Sequence, residues 1–198
     1  MFCFIKRLFD IFFSLIFFLI TLPIIFISSF LILIIDMQNP FFIQERSGIN
    51  GKSIKILKLQ TMKYVNSKKN VTKLGKLLRF SKIDELPQLL SVIKNDMSLI
   101  GPRPLYIDFN QYYKKKHKSR LSIKPGLTGL AQIKINDSTN WKRKFNFDSI
   151  YIKKASFRLD IYIIFRTLII ILNSIFVKKK RAIESIDYKK NFFENYCK

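Results

Sequence analysis

The chain predicts a mostly helical α+β protein whose N-terminal helix is embedded in a membrane. Three observations carry that expectation. Residues 11–35 contain no charged side chain and are dominated by Phe, Ile and Leu. Two short segments, 41–44 and 53–59, flank a turn with two glycines and an Asn-Gly pair, the signature of a small β-hairpin. Beyond them, Leu74, Leu77 and Leu78, then Leu89, Leu90, Val92 and Ile93, and the apolar stretch 160–177 suit helices. At 198 residues the chain suits one domain with a real core.

Its charge is lopsided: 36 Lys and Arg against 13 Asp and Glu, a formal net charge of +23. Such a surface calls for anionic partners, whether nucleic acid, phosphorylated small molecules or an anionic membrane. Mean hydropathy is nevertheless positive, +0.10, which favours the membrane and argues against nucleic acid. Cys3 and Cys197 sit at the chain ends, with no spacing for a disulfide framework or a zinc site. The one histidine, His117, lies in a Lys-rich run and is expected on a solvated basic face.

As a helix, 11–35 would reach ~37 Å at ~1.5 Å per residue, more than a ~30 Å hydrocarbon core requires. Pro23 stands at its centre, and both flanks are basic: Lys6 and Arg7 before it, Arg46, Lys52, Lys55 and Lys58 after it. The positive-inside rule keeps both flanks in the cytoplasm. A re-entrant helix broken at Pro23 satisfies both facts, with Thr21 near enough to serve a freed carbonyl. A kinked span is the alternative.

Beyond the hairpin, Lys63 to Lys76 is polar and basic and is expected as a loop. A helix through Leu74, Leu77 and Leu78 would carry Arg79 towards the stretch Asp84-Glu85-Leu86-Pro87. Pro87 is tolerated in the first turn of a helix, so it places a helix start near Asp84 and the acidic pair at its positive end. Alone, that pair is an ordinary helix start. Gly101-Pro102-Arg103-Pro104 holds an arginine between two prolines, and its guanidinium fork matches phosphate oxygens. Lys124-Pro125-Gly126-Leu127-Thr128-Gly129 is a tight loop whose glycines permit close backbone approach to a ligand. Neither it nor any other segment matches a Walker A loop or a dinucleotide fingerprint. Trp141 and Phe145, among cations, suit a headgroup zone. From Asp160 to Val177 the chain is strongly apolar, with polar residues at Asp160, Arg166-Thr167 and Asn173-Ser174. That seven-residue recurrence marks one narrow polar face on a helix, and Arg166 in mid-segment suits a helix lying in the interface.

Asp84-Glu85-Leu86-Pro87-Gln88-Leu89, then Asp96-Met97-Ser98-Leu99-Ile100-Gly101-Pro102-Arg103-Pro104, then Lys124-Pro125-Gly126-Leu127-Thr128-Gly129-Leu130-Ala131-Gln132, closely resemble in order the motifs of the bacterial sugar transferases. These are monotopic polyprenyl-phosphate phosphoglycosyl transferases, and the likeness runs from Lys6 to about Leu172. It implies transfer of a sugar 1-phosphate from a UDP-sugar to polyprenyl phosphate, with release of UMP, at the cytoplasmic face of the bacterial inner membrane. Asp84 maps onto the nucleophile that forms a covalent phospho-sugar intermediate, and Glu85 onto the residue that helps hold Mg²⁺. Lys58 and Asp148 match family positions and are the implied substrate-binding residues, to which residue chemistry adds the cations Arg79 and Arg103. Membrane lipids are implied partners and nucleic acid is not. The corresponding division is a re-entrant helix over 1–36, a cytosolic catalytic domain over 37–158, an interfacial amphipathic helix over 159–181 and a basic tail over 182–198. A diverged membrane scaffold of the same fold is the alternative. Where the family's motif carries a cation, this chain has Gln60.

The residue chemistry agrees with the resemblance. An aspartate is ionised at neutral pH without a histidine base. Its difficulty is repulsion by a diphosphate, which neighbouring cations and a metal ion relieve.

Overall fold

The computed structural model describes residues 2–65, 68–135 and 140–176, together with Phe192 and Tyr196. The polybasic run 178–181 and the basic tail, those two aromatics apart, lie outside the described residues. The described chain is mostly helical, with three two-stranded sheets and one long apolar N-terminal helix.

That helix, α1, spans Phe2–Leu31 and passes into a π turn, Ile32–Asp36. It is not interrupted at Pro23, where a break was expected. Proline removes one hydrogen bond and crowds the preceding turn, but its fixed φ is itself helical, so the helix continues through it. Thr21 Oγ1 donates to the Phe17 carbonyl at 2.7 Å in the turn before it. Much of the surface of α1 is apolar and open, including Phe4, Phe12, Leu19, Ile20, Phe26 and Ile27.

Both ends of α1 are tied to the same body. Near the start, Lys6 Nζ reaches Asp160 Oδ2 at 2.8 Å, and Arg7 donates to the carbonyls of Val92 and Ile93 at 2.7 and 3.0 Å. Asp10 is buried and accepts from Ser98 Oγ at 2.7 Å. At the far end, Asp36 Oδ2 accepts from Thr72 Oγ1 at 2.7 Å, and Lys63 Nζ donates to the Asp36 carbonyl at 2.9 Å. Between them Phe9, Phe13 and Phe17 pack on the main core, while Ile25 and Ile32 close on Leu59 and Leu78.

The expected hairpin is present: β1 (Phe41–Ser47) pairs antiparallel with β2 (Ser53–Leu59), Phe41 opposite Leu59 and Ser47 opposite Ser53. The Lys-rich stretch expected as a loop forms a second hairpin, β3 (Met62–Val65) with β4 (Lys68–Val71). Helix α2 (Lys73–Phe80) follows, its N-cap Thr72 accepting from the Gly75 amide at 2.8 Å. A 3-10 turn, Ile83–Gln88, leads into the short α3 (Leu89–Ile93).

Strands β5 (Ser98–Ile100) and β6 (Gly126–Thr128) pair in parallel. This joins two sequence motifs into one unit. A Cβ on Gly126 would stand 2.0 Å from the Gly101 amide nitrogen, and one on Gly129 would stand 2.1 Å from the Gly101 carbonyl oxygen. The close approach expected towards a ligand is made towards the Gly-Pro-Arg-Pro backbone instead.

Helices α4 (Leu130–Lys134), α5 (Trp141–Lys154) and α6 (Phe157–Phe176) complete the described fold. The main core gathers Ile56, Leu89, Val92, Met97, Leu99, Ile100, Leu130, Tyr151 and Ile163. Of the polar stripe of α6, Asp160 and Thr167 face this body, while Arg166 and Asn173 are exposed. Asp160 is buried against Lys6 and Tyr151, and Thr167 Oγ1 meets Thr128 Oγ1 at 2.8 Å. Its exposed side is apolar, with Ile161, Phe165, Leu168, Ile169 and Leu172. Trp141 and Phe145 are likewise interior, in an aromatic cluster with Phe109 and Tyr113. His117 is buried there too and not solvated, its Nδ1 2.7 Å from Tyr196 Oη.

Candidate active site

The acidic pair is positioned by a reversal of the chain. Helix α2 ends at Phe80 with Ser81 as its C-cap, and Lys82 adopts a left-handed conformation (φ 63°) that opens the 3-10 turn Ile83–Gln88. Asp84 and Glu85 occupy its first turn, with Pro87 inside it. At about three residues per turn, neighbouring side chains diverge by ~120°, so the two carboxylates present different faces. Strand β2 packs against this turn and brings Lys58 to it.

Glu85 is the more tightly held. Its Oε1 accepts from Arg103 Nη2, Arg103 Nη1 lies 3.4 Å from Oε2, and Lys58 Nζ lies 3.6 Å from Oε1. Burial pushes the Glu85 carboxyl up, but Arg103, Lys82 and Lys58 together outweigh it and hold the group well below the usual carboxylate range. Asp84 behaves oppositely. Burial, with the adjacent Glu85 charge, pushes it up to about 6, against the pull of Lys58, Lys82 and Arg79. Burial also pulls Lys58 down to about 8, against the pull of Glu85.

Arg79 comes off α2, its Nε donating to Thr61 Oγ1 at 2.8 Å. Arg46, whose guanidinium carbon sits 3.8 Å over the Tyr106 ring, adds positive potential near Glu85 and Arg103. Lys58, Arg79, Lys82, Arg103 and Arg46 therefore surround two carboxylates, a field suited to a polyanionic ligand. Gln60 contributes nothing comparable, since its amide donates to the Met62 carbonyl at 2.8 Å.

The structure thus brings Asp84, Glu85, Lys58, Arg79 and Arg103 together. Asp148 is elsewhere, buried on α5 in an ion pair with Arg120, whose Nε lies 3.2 Å from Asp148 Oδ2. Arg120 Nη2 in turn donates to the Arg103 carbonyl at 2.7 Å, so Asp148 meets the site through two arginines. Sequence reading missed Lys82, Arg46, Thr61 and Arg120. Lys82 adjoins the acidic pair and was the most findable. Nothing local separates Arg120 from the lysines before it.

Among the described residues no group of three or more His, Cys, Asp or Glu side chains forms a metal cage. The donor set still suits Mg²⁺, which takes one or two carboxylates and completes its shell with water and substrate phosphates. Asp84 and Glu85 are hard oxygen donors, and Glu85 is kept ionised.

The profile of the family described as "Bacterial sugar transferase" matches residues 1–174. An "Uncharacterized sugar transferase EpsL" of Bacillus subtilis (strain 168) is 39% identical over 168 residues, covering 80% of this chain and 83% of its own length. A UDP-glucose:undecaprenyl-phosphate glucose-1-phosphate transferase of Klebsiella pneumoniae is 34% identical over 180 residues, and the match covers 82% of this chain but 39% of that protein. The Escherichia coli (strain K12) protein of the same name is 34% identical over 173 residues, covering 75% of this chain and 37% of its own length. The chain thus spans most of the Bacillus relative and well under half of the two whose names state a reaction.

Proposed function

This chain belongs to the bacterial sugar transferase family, and on that premise we propose that it transfers a sugar 1-phosphate from a UDP-sugar to a polyprenyl phosphate, releasing UMP. The observation that carries the reading is the divided acidic pair inside a ring of cations. Asp84 is the nucleophile. Its carboxylate oxygen attacks the phosphorus next to the sugar, the bond from that phosphorus to the bridging oxygen breaks, and UMP leaves with the electron pair. An oxygen of the polyprenyl phosphate then attacks the same phosphorus and returns Asp84 as a free carboxylate.

Arg103 and Lys58 neutralise the diphosphate as it approaches an anionic nucleophile, and Arg79 and Lys82 do the same around Asp84. Glu85 would help hold Mg²⁺, which would supply further neutralisation of the oxygens that gain charge. Asp148 supports Arg103 through Arg120 and does not itself contact the donor.

The reading makes a pH-dependent expectation. With UDP-glucose as donor, kcat/KM for UMP release should rise as Asp84 ionises near pH 6. It should fall as Lys58 loses its proton near pH 8, because a neutral lysine no longer offsets the diphosphate. Lys58→Arg should carry the upper limb beyond pH 9. A flat profile between pH 5 and pH 9 would remove both residues from the mechanism. Release of no UMP from any donor in a UDP-sugar panel would favour the scaffold alternative.

We also propose that α1 enters and leaves the membrane on the cytoplasmic side. The support is that Lys6, Arg7 and Asp10 at one end, and Ile32 and Asp36 at the other, bind a single body. In a Cys3→Ser, Cys197→Ser background, cysteines at Phe4 and Lys52 should both be labelled from the cytoplasmic side of inverted vesicles. Labelling from opposite sides would establish a span. The apolar outer face of α6 would then rest against the same leaflet.

A further inference from the structure

We propose that Phe192 and Tyr196 are positioning residues for Arg103, acting through Tyr113 and Arg120; the inference rests on the donor-binding role given to Arg103 above. Both lie beyond residue 174, where the match to the family profile ends.

The two side chains are 0% and 1% exposed. Phe192 stacks on Phe109, ring centroids 3.9 Å apart and planes 6° apart, and meets Trp141 edge-on at 5.2 Å. Tyr196 packs edge-on against Phe145 at 5.0 Å, and its Oη accepts from the Lys114 amide at 3.0 Å beside His117. These contacts seal one side of an aromatic wall. Tyr113, edge-on to Phe192 at 6.4 Å, and Phe145 form its other side, and Arg120 lies against both.

Arg120 is a buried cation, and each of its three nitrogens is directed at a partner. Nε faces Asp148, Nη1 donates to Tyr113 Oη at 2.7 Å, and Nη2 donates to the Arg103 carbonyl at 2.7 Å. Arg103 then grips Glu85 from a backbone pinned between two prolines. Removing the Phe192 ring would open a void beside Tyr113, free its hydroxyl to move and release one of the anchors that set Arg103. A shift of order 1 Å at a charged ligand contact is enough to matter.

Trp141 is the only tryptophan, so its emission reports on the docked aromatics independently of activity. The test compares wild type, Phe192→Ala/Tyr196→Ala, Arg103→Ala and the combined variant as full chains in nanodiscs. Trp141 emission, the affinity for UDP and the kcat and KM for UMP release are measured. Emission should shift to the red in the aromatic double variant and stay unchanged in Arg103→Ala. The aromatic variant should weaken UDP binding and raise the donor KM about tenfold, with no further loss when Arg103→Ala is already present. Additive losses, or a red-shifted variant with wild-type UDP affinity, would overturn the proposal. Arg103→Ala binding UDP like wild type would overturn the role of Arg103 itself, a separate failure. Tyr196→Phe, which keeps the ring, should hold the KM to within about threefold of wild type, since a buried, packed ring contributes more here than one hydroxyl. Should the alanine pair fail to fold, Phe192→Leu with Tyr196→Phe carries the same cycle.

Discussion

Asp84→Asn is expected to lower UMP release by at least about 10³-fold while leaving the protein folded and UDP affinity at or above that of wild type. The substitution removes the charge of the proposed attacking oxygen without changing the shape of the 3-10 turn. It also relieves the repulsion that Asp84 feels from Glu85 and that the diphosphate would feel from both. Ground-state binding should therefore hold or improve while turnover collapses, which a damaged site would not do. Glu85→Gln should behave differently. It releases Arg103 and Lys58 from their resting partner, so donor binding and turnover should change together. A radiolabelled sugar phosphate trapped on wild-type enzyme without acceptor, and absent from Asp84→Asn, would establish the covalent intermediate. Multiple turnovers by Asp84→Asn would require another nucleophile.

The acidic pair, Pro87 and the Pro-flanked Arg103 were legible in the sequence because each is a local pattern with a local consequence. So was the first hairpin, whose Asn-Gly turn and alternating strands are encoded within some twenty residues. The features that stayed hidden are the ones decided by distant partners. The strands β3 and β4 are Lys-rich and show little alternation, and they pair because Thr72 and Lys63 tie them to Asp36 at the end of α1. Trp141 and His117 sit among lysines and looked exposed, but Phe192 and Tyr196, more than fifty residues beyond Trp141, cover them. The seven-residue polar recurrence of α6 was visible, while its direction was not. A stripe of Asp160 and Thr167 reads equally as a solvent face or as an internal seam until Lys6, Tyr151 and Thr128 are placed against it.

The Arg120–Asp148 pair should carry the largest stability effect of any single contact behind the site. Both side chains are 4% exposed, so each charge depends on the other and on Tyr113 and the Arg103 carbonyl. Asp148→Ala leaves a buried guanidinium without its counter-charge and is expected to cost about 3–5 kcal/mol of stability. This should appear as a fall in the thermal midpoint in detergent. Replacing both partners, Arg120→Met with Asp148→Leu, removes the stranded charge and should recover much of that loss, because apolar packing substitutes well for a buried ion pair. Activity should not recover with stability, since the donor that Arg120 gives the Arg103 carbonyl is then gone. Separation of the two readouts distinguishes a support for Arg103 from a direct donor contact. If Asp148→Asn instead kept the wild-type midpoint and lost only donor affinity, Asp148 would be a substrate ligand, as the family resemblance implies.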